Sequence, residues 1–302
     1  MNRSIFVTNP LLKSILPYIN PTLSVIGCWD EDFDKKTVYA MATSVWDTID
    51  ATFLSTFPNL KSICHLGVGT DNIDKNYLQQ HDIELHSQPL AGIHDTAELA
   101  VTLMLSLARK IIQNDSYTRL NHWAENKPRF VGNNLLGKQL GLVGMGKIGS
   151  TIARFASAFD MKISYTARSN KNNGYLYYDN ITQLAQDSDF LILCCSGGAD
   201  TFQLIDKSIL EKLGATGYLI NVSRGSVINE QDLIHALQTG LIAGAGLDVY
   251  SQEPNIAEAF KTLNNVILSP HMGSSTKENL EAMFKLQAQQ LNESFLEFVA
   301  VN

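Results

Sequence analysis

Residues 141–171 read GLVGMGKIGSTIARFASAFDMKISYTARSNK. An apolar run, Leu140 to Val143, leads into Gly144, Gly146 and Gly149 at GxGxxG spacing. Beyond them Ile148, Ile152, Phe155, Ala156 and Phe159 recur at helical spacing, and a second apolar run, KISYTA, follows. Strand, glycine turn, helix, strand is the order that gives this spacing meaning. The first glycine makes the tight turn, the second lets a diphosphate approach the backbone, and the third lets the helix pack on its sheet. N–H groups left free at the helix start would face the anion. The bland alternative is an ordinary strand-to-helix turn.

Arg168 stands nineteen residues beyond Gly149, close to the ~20-residue offset at which a ribose-binding carboxylate is expected. Asp or Glu there would accept bonds from a 2′-hydroxyl and repel a 2′-phosphate. A guanidinium reverses the preference, because its planar fork holds phosphate through paired charge-assisted bonds. Ser169 and Lys171 could add a hydroxyl and a second positive charge. The site therefore favours NADP(H), with NAD(H) as the lesser option; an arginine that stacks on adenine or faces solvent is the alternative.

Reading outward, the chain of 302 residues is long enough for one large domain or two ordinary ones. With 45% hydrophobic and 18% charged residues it has the composition of a soluble globular protein. A net charge of -7 argues against a nucleic-acid partner, since a phosphate backbone calls for clustered Lys and Arg. Cys28, Cys64, Cys194 and Cys195 have neither CxxC nor zinc spacing, and reduced thiols in a cytoplasmic protein are expected. The first residues lack the apolar block of a signal peptide, and no run approaches the ~18 apolar residues of a membrane span.

Up to Leu66 short apolar strand candidates alternate with helical patterns: SIFVTN, PLLKSILPYI, LSVIGCW, YAMATS, ATFLSTFP and SICHLG. This predicts a parallel sheet covered by helices. HDTAELAVTLMLSLARKIIQN then predicts a long helix capped at Asp95 or Thr96 and ending near Lys110. After Gly137 the alternation resumes through DFLILCC, GYLINV, LIAGAGLDVY and NVILSP, a second doubly wound unit. The last stretch predicts an amphipathic helix with Leu280, Met283, Phe284, Leu286 and Leu291 near one face, returning to the first domain.

Three segments fall where strands of the second unit should end, the side on which such sheets bind ligands. They are LINVSRGSVINE, GAGLDVYSQEP and VILSPHMGSS, carrying Arg224, Asp248, Glu253 and His271. A cation, carboxylates and an imidazole at successive strand ends suit proton and hydride chemistry on a carbonyl. Taken singly, each has a bland reading: a structural histidine, a surface ion pair, a glutamate that opens a turn before Pro254.

With HLGVGTDNID, TAELAVTLMLSLAR and GLVGMGKIGS these segments stand in one order, and the chain resembles the D-isomer-specific 2-hydroxyacid dehydrogenase family along essentially its whole length. YTARSNK is most similar to the NADPH-using glyoxylate, hydroxypyruvate and hydroxyphenylpyruvate reductases. The resemblance implies an α/β fold of two doubly wound parallel-sheet domains with a cleft between them. A flavodoxin-like substrate domain, 1–95 plus 276–302, accompanies a Rossmann cofactor domain, 96–275. It implies that Arg224 binds the substrate carboxylate and keto oxygen, that His271 exchanges the proton, and that Glu253 pairs with His271. Val68 and Gly69 would offer N–H groups to the carboxylate. Met145, Gly146, Lys147 and Ile148 would line the diphosphate, Arg168 and Ser169 the 2′-phosphate, Val222 and Asp248 the nicotinamide end, with Thr96 near the same pocket. A homodimer joined through the cofactor domains is also implied.

The preferred activity is NADPH-dependent reduction of a small 2-keto acid, glyoxylate or hydroxypyruvate, to the D-2-hydroxy acid. A hydroxyphenylpyruvate or sugar-ketoacid reductase is the alternative within the enzymes, and a dinucleotide-sensing corepressor the alternative outside them. One departure stands out: many relatives carry a proline-rich loop where this chain reads SGGADT, Ser196 to Thr201. No histidine shows metal spacing; for His65 and Trp123, core packing is weighed against a pocket role.

Overall fold

The computed structural model describes residues 3–301, with side chains through residue 295. Its residues cluster into two compact units, Met1–Gly92 with Ser275–Asn302, and Ile93–Ser274.

In the first unit five parallel strands stand in the order β2-β1-β3-β4-β5: β1 Ser4–Val7, β2 Ser24–Gly27, β3 Val38–Ser44, β4 Ser62–Leu66 and β5 Glu84–His86. β1, β3 and β4 are buried throughout, as strands covered on both faces must be. Alternation sorts their side chains. Ile5 and Val7 join Ala40, Ala42 and Cys64 on one face, whereas Phe6 joins Val38, Met41 and Ile63 on the other. Helices α1, Ala51–Ser55, and α2, Lys75–Gln80, are capped by Asp50 and Asp74, whose side chains accept the N–H three residues on.

Three details differ from the sequence reading. PLLKSILPYI forms a 3-10 helix, Pro10–Tyr18, because Pro17 lies inside the segment and cannot donate an α-helical bond. The last helix, Lys277–Val301, packs on β3, β4 and that 3-10 segment through Met283, Ala288, Leu291 and Phe295. Leu286, placed on its apolar face, is 41% exposed. Gln287 takes the buried position instead, and its amide donates to the Thr43 and Cys64 carbonyls at 2.9 and 2.8 Å.

In the second unit helices α3, Ile93–Arg109, and α4, Ile111–Arg119, precede a seven-stranded parallel sheet. Its strands are β6 Gln139–Val143, β7 Lys162–Thr166, β8 Leu176–Tyr178, β9 Phe190–Leu193, β10 Tyr218–Asn221, β11 Gly244–Leu247 and β12 Val266–Leu268. Their order, β12-β11-β10-β9-β6-β7-β8, is the doubly wound Rossmann order with a reversal between β6 and β9. The intervening helices are α5 Lys147–Ser157, α6 Ile181–Gln186, α7 Lys207–Leu213 and α8 Glu230–Thr239. α3 packs on α5, β10 and β11. Gly246 permits this, since a Cβ there would stand 3.1 Å from Leu103 Cβ.

α3 begins at Ile93, not at an Asp95 or Thr96 cap. The chain turns through Gly92, at φ +63°, straight into the helix, so those residues fall in its first turn. It ends at Arg109 before Lys110, whose φ of +53° breaks the chain into α4. Trp123 is not core but 63% exposed, whereas His65 is fully buried.

Candidate active site

The glycine turn has the properties its sequence requires. Gly144 sits at φ +107°, and a Cβ there would fall 2.8 Å from the Cys195 amide nitrogen. At Gly149 a Cβ would fall 2.3 Å from the Gly144 carbonyl oxygen, so only glycine lets α5 start so close to the strand. Gly146, in contrast, faces open space, with no atom within 4 Å of where its Cβ would be. One glycine makes the bend, one closes the packing, and one leaves room for a ligand.

That room is a cleft of about 600 Å³ at the reversal between β6 and β9. Gly144, Met145 and Gly146 line it, as do Arg168 and Lys171 beyond β7. Both cations are exposed. Tyr165 shapes their turn: its hydroxyl donates to Asn170 Oδ1 at 2.8 Å and accepts the Lys171 N–H at 2.6 Å. Ser196 to Thr201 line it as well. The groups present thus fit a dinucleotide: bare backbone beneath a diphosphate and paired cations at the rim.

Cys194 and Cys195 also line the cleft, and burial disfavours the thiolate of each. Burial, with a small contribution from Cys195, pushes the Cys194 thiol far above its ordinary range, and its S–H donates to the Gly144 carbonyl at 3.1 Å. Lys147, Ile148, Gly149, Ser169, Val222, Asp248 and Thr96 are not among the residues lining this cleft.

A second cluster gathers beyond β10, β11 and β12. His271 takes a left-handed φ of +52°, uncommon for any residue with a side chain, and its N–H donates to the Asp248 carbonyl at 2.8 Å. The ring's Nδ1 lies 2.6 Å from Glu253 Oε2. Glu253 Oε1 in turn accepts the Tyr250 N–H at 2.9 Å, so both carboxylate oxygens are committed. Burial would raise the Glu253 carboxyl, but the His271 bond and charge, the Tyr250 N–H and the nearby Arg224 charge outweigh it and hold the carboxyl below its ordinary value. Arg224 therefore lies within electrostatic reach of the His271–Glu253 pair.

Three residues absent from the sequence reading build this arrangement. Asn221, fully buried at the end of β10, accepts the Ser223 N–H and donates to the Arg224 carbonyl, folding the turn that carries the guanidinium. Tyr250 shares its hydroxyl proton between the Leu247 and Ser269 carbonyls, at 3.1 and 2.9 Å, tying β11 to the loop before His271. Gly197 lies over the arginine stem, where a Cβ would fall 2.8 Å from Arg224 Cγ. Their adjacency to Arg224, Glu253 and SGGADT was the available signal. Asp248 also has a task the sequence did not suggest. It is 1% exposed, and its two carboxylate oxygens accept the Met272 and Gly273 N–H groups at 2.7 and 2.8 Å, stapling the His271 loop. Thr96 packs beside Gly273.

The chain is similar to known proteins over most of its length. Residues 101–273 match the family model described as the D-isomer specific 2-hydroxyacid dehydrogenase NAD binding domain. A glyoxylate/hydroxypyruvate reductase of Arabidopsis thaliana is 38% identical over 262 residues, 86% of this chain and 83% of that protein. A hydroxyphenylpyruvate reductase of Plectranthus scutellarioides is 35% identical over 82% of this chain and 79% of its own length. Among solved structures, the NADPH-dependent glyoxylate/hydroxypyruvate reductase of Sinorhizobium meliloti, crystallised with NADP and malonate, superposes with a TM-score of 0.89 at 31% identity. That match covers 98% of this chain and 94% of that one. With its glycine-lined cleft and its arginine, glutamate and histidine at successive strand ends, the chain belongs to the D-isomer-specific 2-hydroxyacid dehydrogenases, nicotinamide-dinucleotide oxidoreductases that act on CH–OH groups.

Proposed function

We propose that the protein is an NADPH-dependent reductase of small 2-keto acids of the glyoxylate or hydroxypyruvate type, yielding the D-2-hydroxy acid. The observation that carries this reading is the pairing of an exposed Arg168 and Lys171 at the cleft rim with the His271–Glu253 pair near Arg224. Bound in the cleft, reduced nicotinamide supplies the hydride. Arg224 holds the substrate carboxylate and draws charge onto the keto oxygen as that oxygen becomes an alkoxide. His271, its Nδ1 bonded to Glu253, presents Nε2 as the proton donor to that oxygen, and takes the proton back in the oxidative direction. Glu253 orients the ring through its bond to Nδ1. Val68 and Gly69 supply N–H groups to the carboxylate. Met145 to Ile148 hold the diphosphate, Arg168 with Ser169 a 2′-phosphate, and Val222, Asp248 and Thr96 the nicotinamide end.

The reading extends to assembly and location. Ile111, Ile112, Trp123, Phe130 and Val131 expose half or more of their surface along residues 111–131, which supports a homodimer built through the second unit. All four cysteines are free thiols, which fits a reducing cytoplasm.

The test is initial rates with glyoxylate, hydroxypyruvate and hydroxyphenylpyruvate, each with NADPH and with NADH. Turnover of the two small acids with NADPH is expected. Preference for hydroxyphenylpyruvate would move the assignment to the aromatic reductases, and no oxidation of either cofactor with any 2-keto acid would favour a dinucleotide-binding module.

A further inference from the structure

The first unit holds a buried imidazole that the reaction above does not use. His65, near the end of β4, is fully buried and faces Thr43 across the parallel β3–β4 ladder. Its Nδ1 is 2.8 Å from Thr43 Oγ1, and its Nε2 is 2.9 Å from the Gly69 carbonyl oxygen. A carbonyl only accepts, so Nε2 carries the hydrogen and donates. Nδ1 is then left to accept from the Thr43 hydroxyl. With both nitrogens matched in a dry environment the ring is a strut, since swinging it away would strand a buried polar atom.

The far end of the strut is the turn after β4. Gly67 takes φ +130°, a Cβ there would fall 2.8 Å from Val45 Cγ1, and its carbonyl accepts the Gln88 N–H at 3.0 Å. Two residues on, His65 grips the Gly69 carbonyl. A trans peptide is planar, with its N–H opposite its C=O. Fixing the Gly67 carbonyl therefore aims the Val68 N–H, and fixing the Gly69 carbonyl leaves the intervening peptide, which carries the Gly69 N–H, little freedom. Val68 is 47% exposed, so these bonds stiffen a turn that packing leaves open. The strand ends beneath it are themselves tied by Gln287, which spans the Thr43 and Cys64 carbonyls.

We propose that His65 is a positioning residue for the substrate: through the Gly69 carbonyl it sets the turn whose Val68 and Gly69 N–H groups receive the ketoacid carboxylate. This rests on the reading of Val68 and Gly69 given above. Its contribution lies in binding rather than in chemistry, because the carboxylate it helps to hold is unchanged by the reaction, and neither hydride nor proton passes through it.

Two variants divide the ring's contacts. His65→Asn keeps an acceptor beside Thr43 but is too short to reach Gly69, whereas His65→Gln places an amide N–H close to the position of Nε2. His65→Asn is expected to raise KM for glyoxylate by about three- to tenfold, the worth of one hydrogen bond, with kcat within about twofold and the NADPH Kd unchanged. His65→Gln is expected to restore KM to within about twofold of wild type. In hydrogen–deuterium exchange, amides 67–70 should exchange faster in the Asn variant and not in the Gln variant. Unchanged KM in His65→Asn, or equal losses in both variants, overturns the proposal, the latter by assigning the effect to packing. If wild type turns over no 2-keto acid, the reductase reading fails on its own; unchanged exchange then overturns the strut as well, and faster exchange upholds it. Should His65→Asn not fold, Thr43→Val removes the donor that fixes the ring's tautomer, and an unaltered KM there counts against the proposal.

Discussion

Arg168 makes no ion pair among the described residues, so its charge is available to a ligand at the cleft rim. Arg168→Asp is expected to weaken NADPH relative to NADH by at least about tenfold, since a charge-assisted contact contributes roughly 1.5–3 kcal/mol; fluorescence titration with both cofactors measures this. His271→Ala should bind NADPH normally yet lose most turnover, and near-normal rates would remove His271 from the acid role. Glu253 carries a pH signature. Its carboxyl is lowered in the folded chain from an ordinary value of 4.5, so its stabilisation is present above that value and is lost as pH falls through the lower, folded one. Thermal melts in acid should therefore show the advantage of wild type over Glu253→Gln shrinking below about pH 4.5, and a constant gap would contradict the linkage. Arg168, Arg224, Glu253 and His271 could be picked out as candidates because each stands in a distinctive local motif. Asp248 could be picked out as a candidate, but not as the staple of the His271 loop, because its partners are backbone N–H groups twenty-four and more residues away.

The strand-to-helix turn at Gly144 is the element on which the cofactor reading depends. Gly144→Ala would force a side chain onto a φ of +107° and into Cys195. A stability loss of about 1–3 kcal/mol is expected, seen in denaturant melts, together with weakened NADPH binding. The loop Ser196 to Thr201 acts differently. Gly197→Ala meets the middle of the Arg224 side chain rather than its tip, so the expected effect is a rise in ketoacid KM that exceeds any change in NADPH affinity. Elements buried on both faces, such as β3, β6 and β9, were plain from their apolar runs. The edge strands β5 and β8, three residues each, left too short a run to register. The start of α3 was misread because a left-handed Gly92, rather than a side-chain cap, sets it. Leu286, expected on the apolar face, is exposed while Gln287 is buried, because the buried amide is satisfied by two strand carbonyls, a pairing that helical periodicity does not encode.

At the scale of the whole molecule, the exposed apolar side chains of residues 111–131 predict association. Light scattering should give twice the mass of the 33.4 kDa chain, and Val131→Glu, at a position 88% exposed, should shift the protein toward monomers with its melting behaviour little changed. The two-sheet architecture was legible from the alternation of strand and helix patterns, and the return of the last helix to the first unit from its amphipathic spacing. That return has a consequence for biosynthesis. Met283, Ala288, Leu291 and Phe295, which cover one face of the first sheet, emerge from the ribosome only after the whole of residues 93–274. The nucleotide-binding half, contained in a continuous stretch, is complete before them. Nascent chains stalled after Ser275 clears the exit tunnel should therefore already resist protease over residues 93–274 while the strands of the first sheet, although made earlier, are still digested.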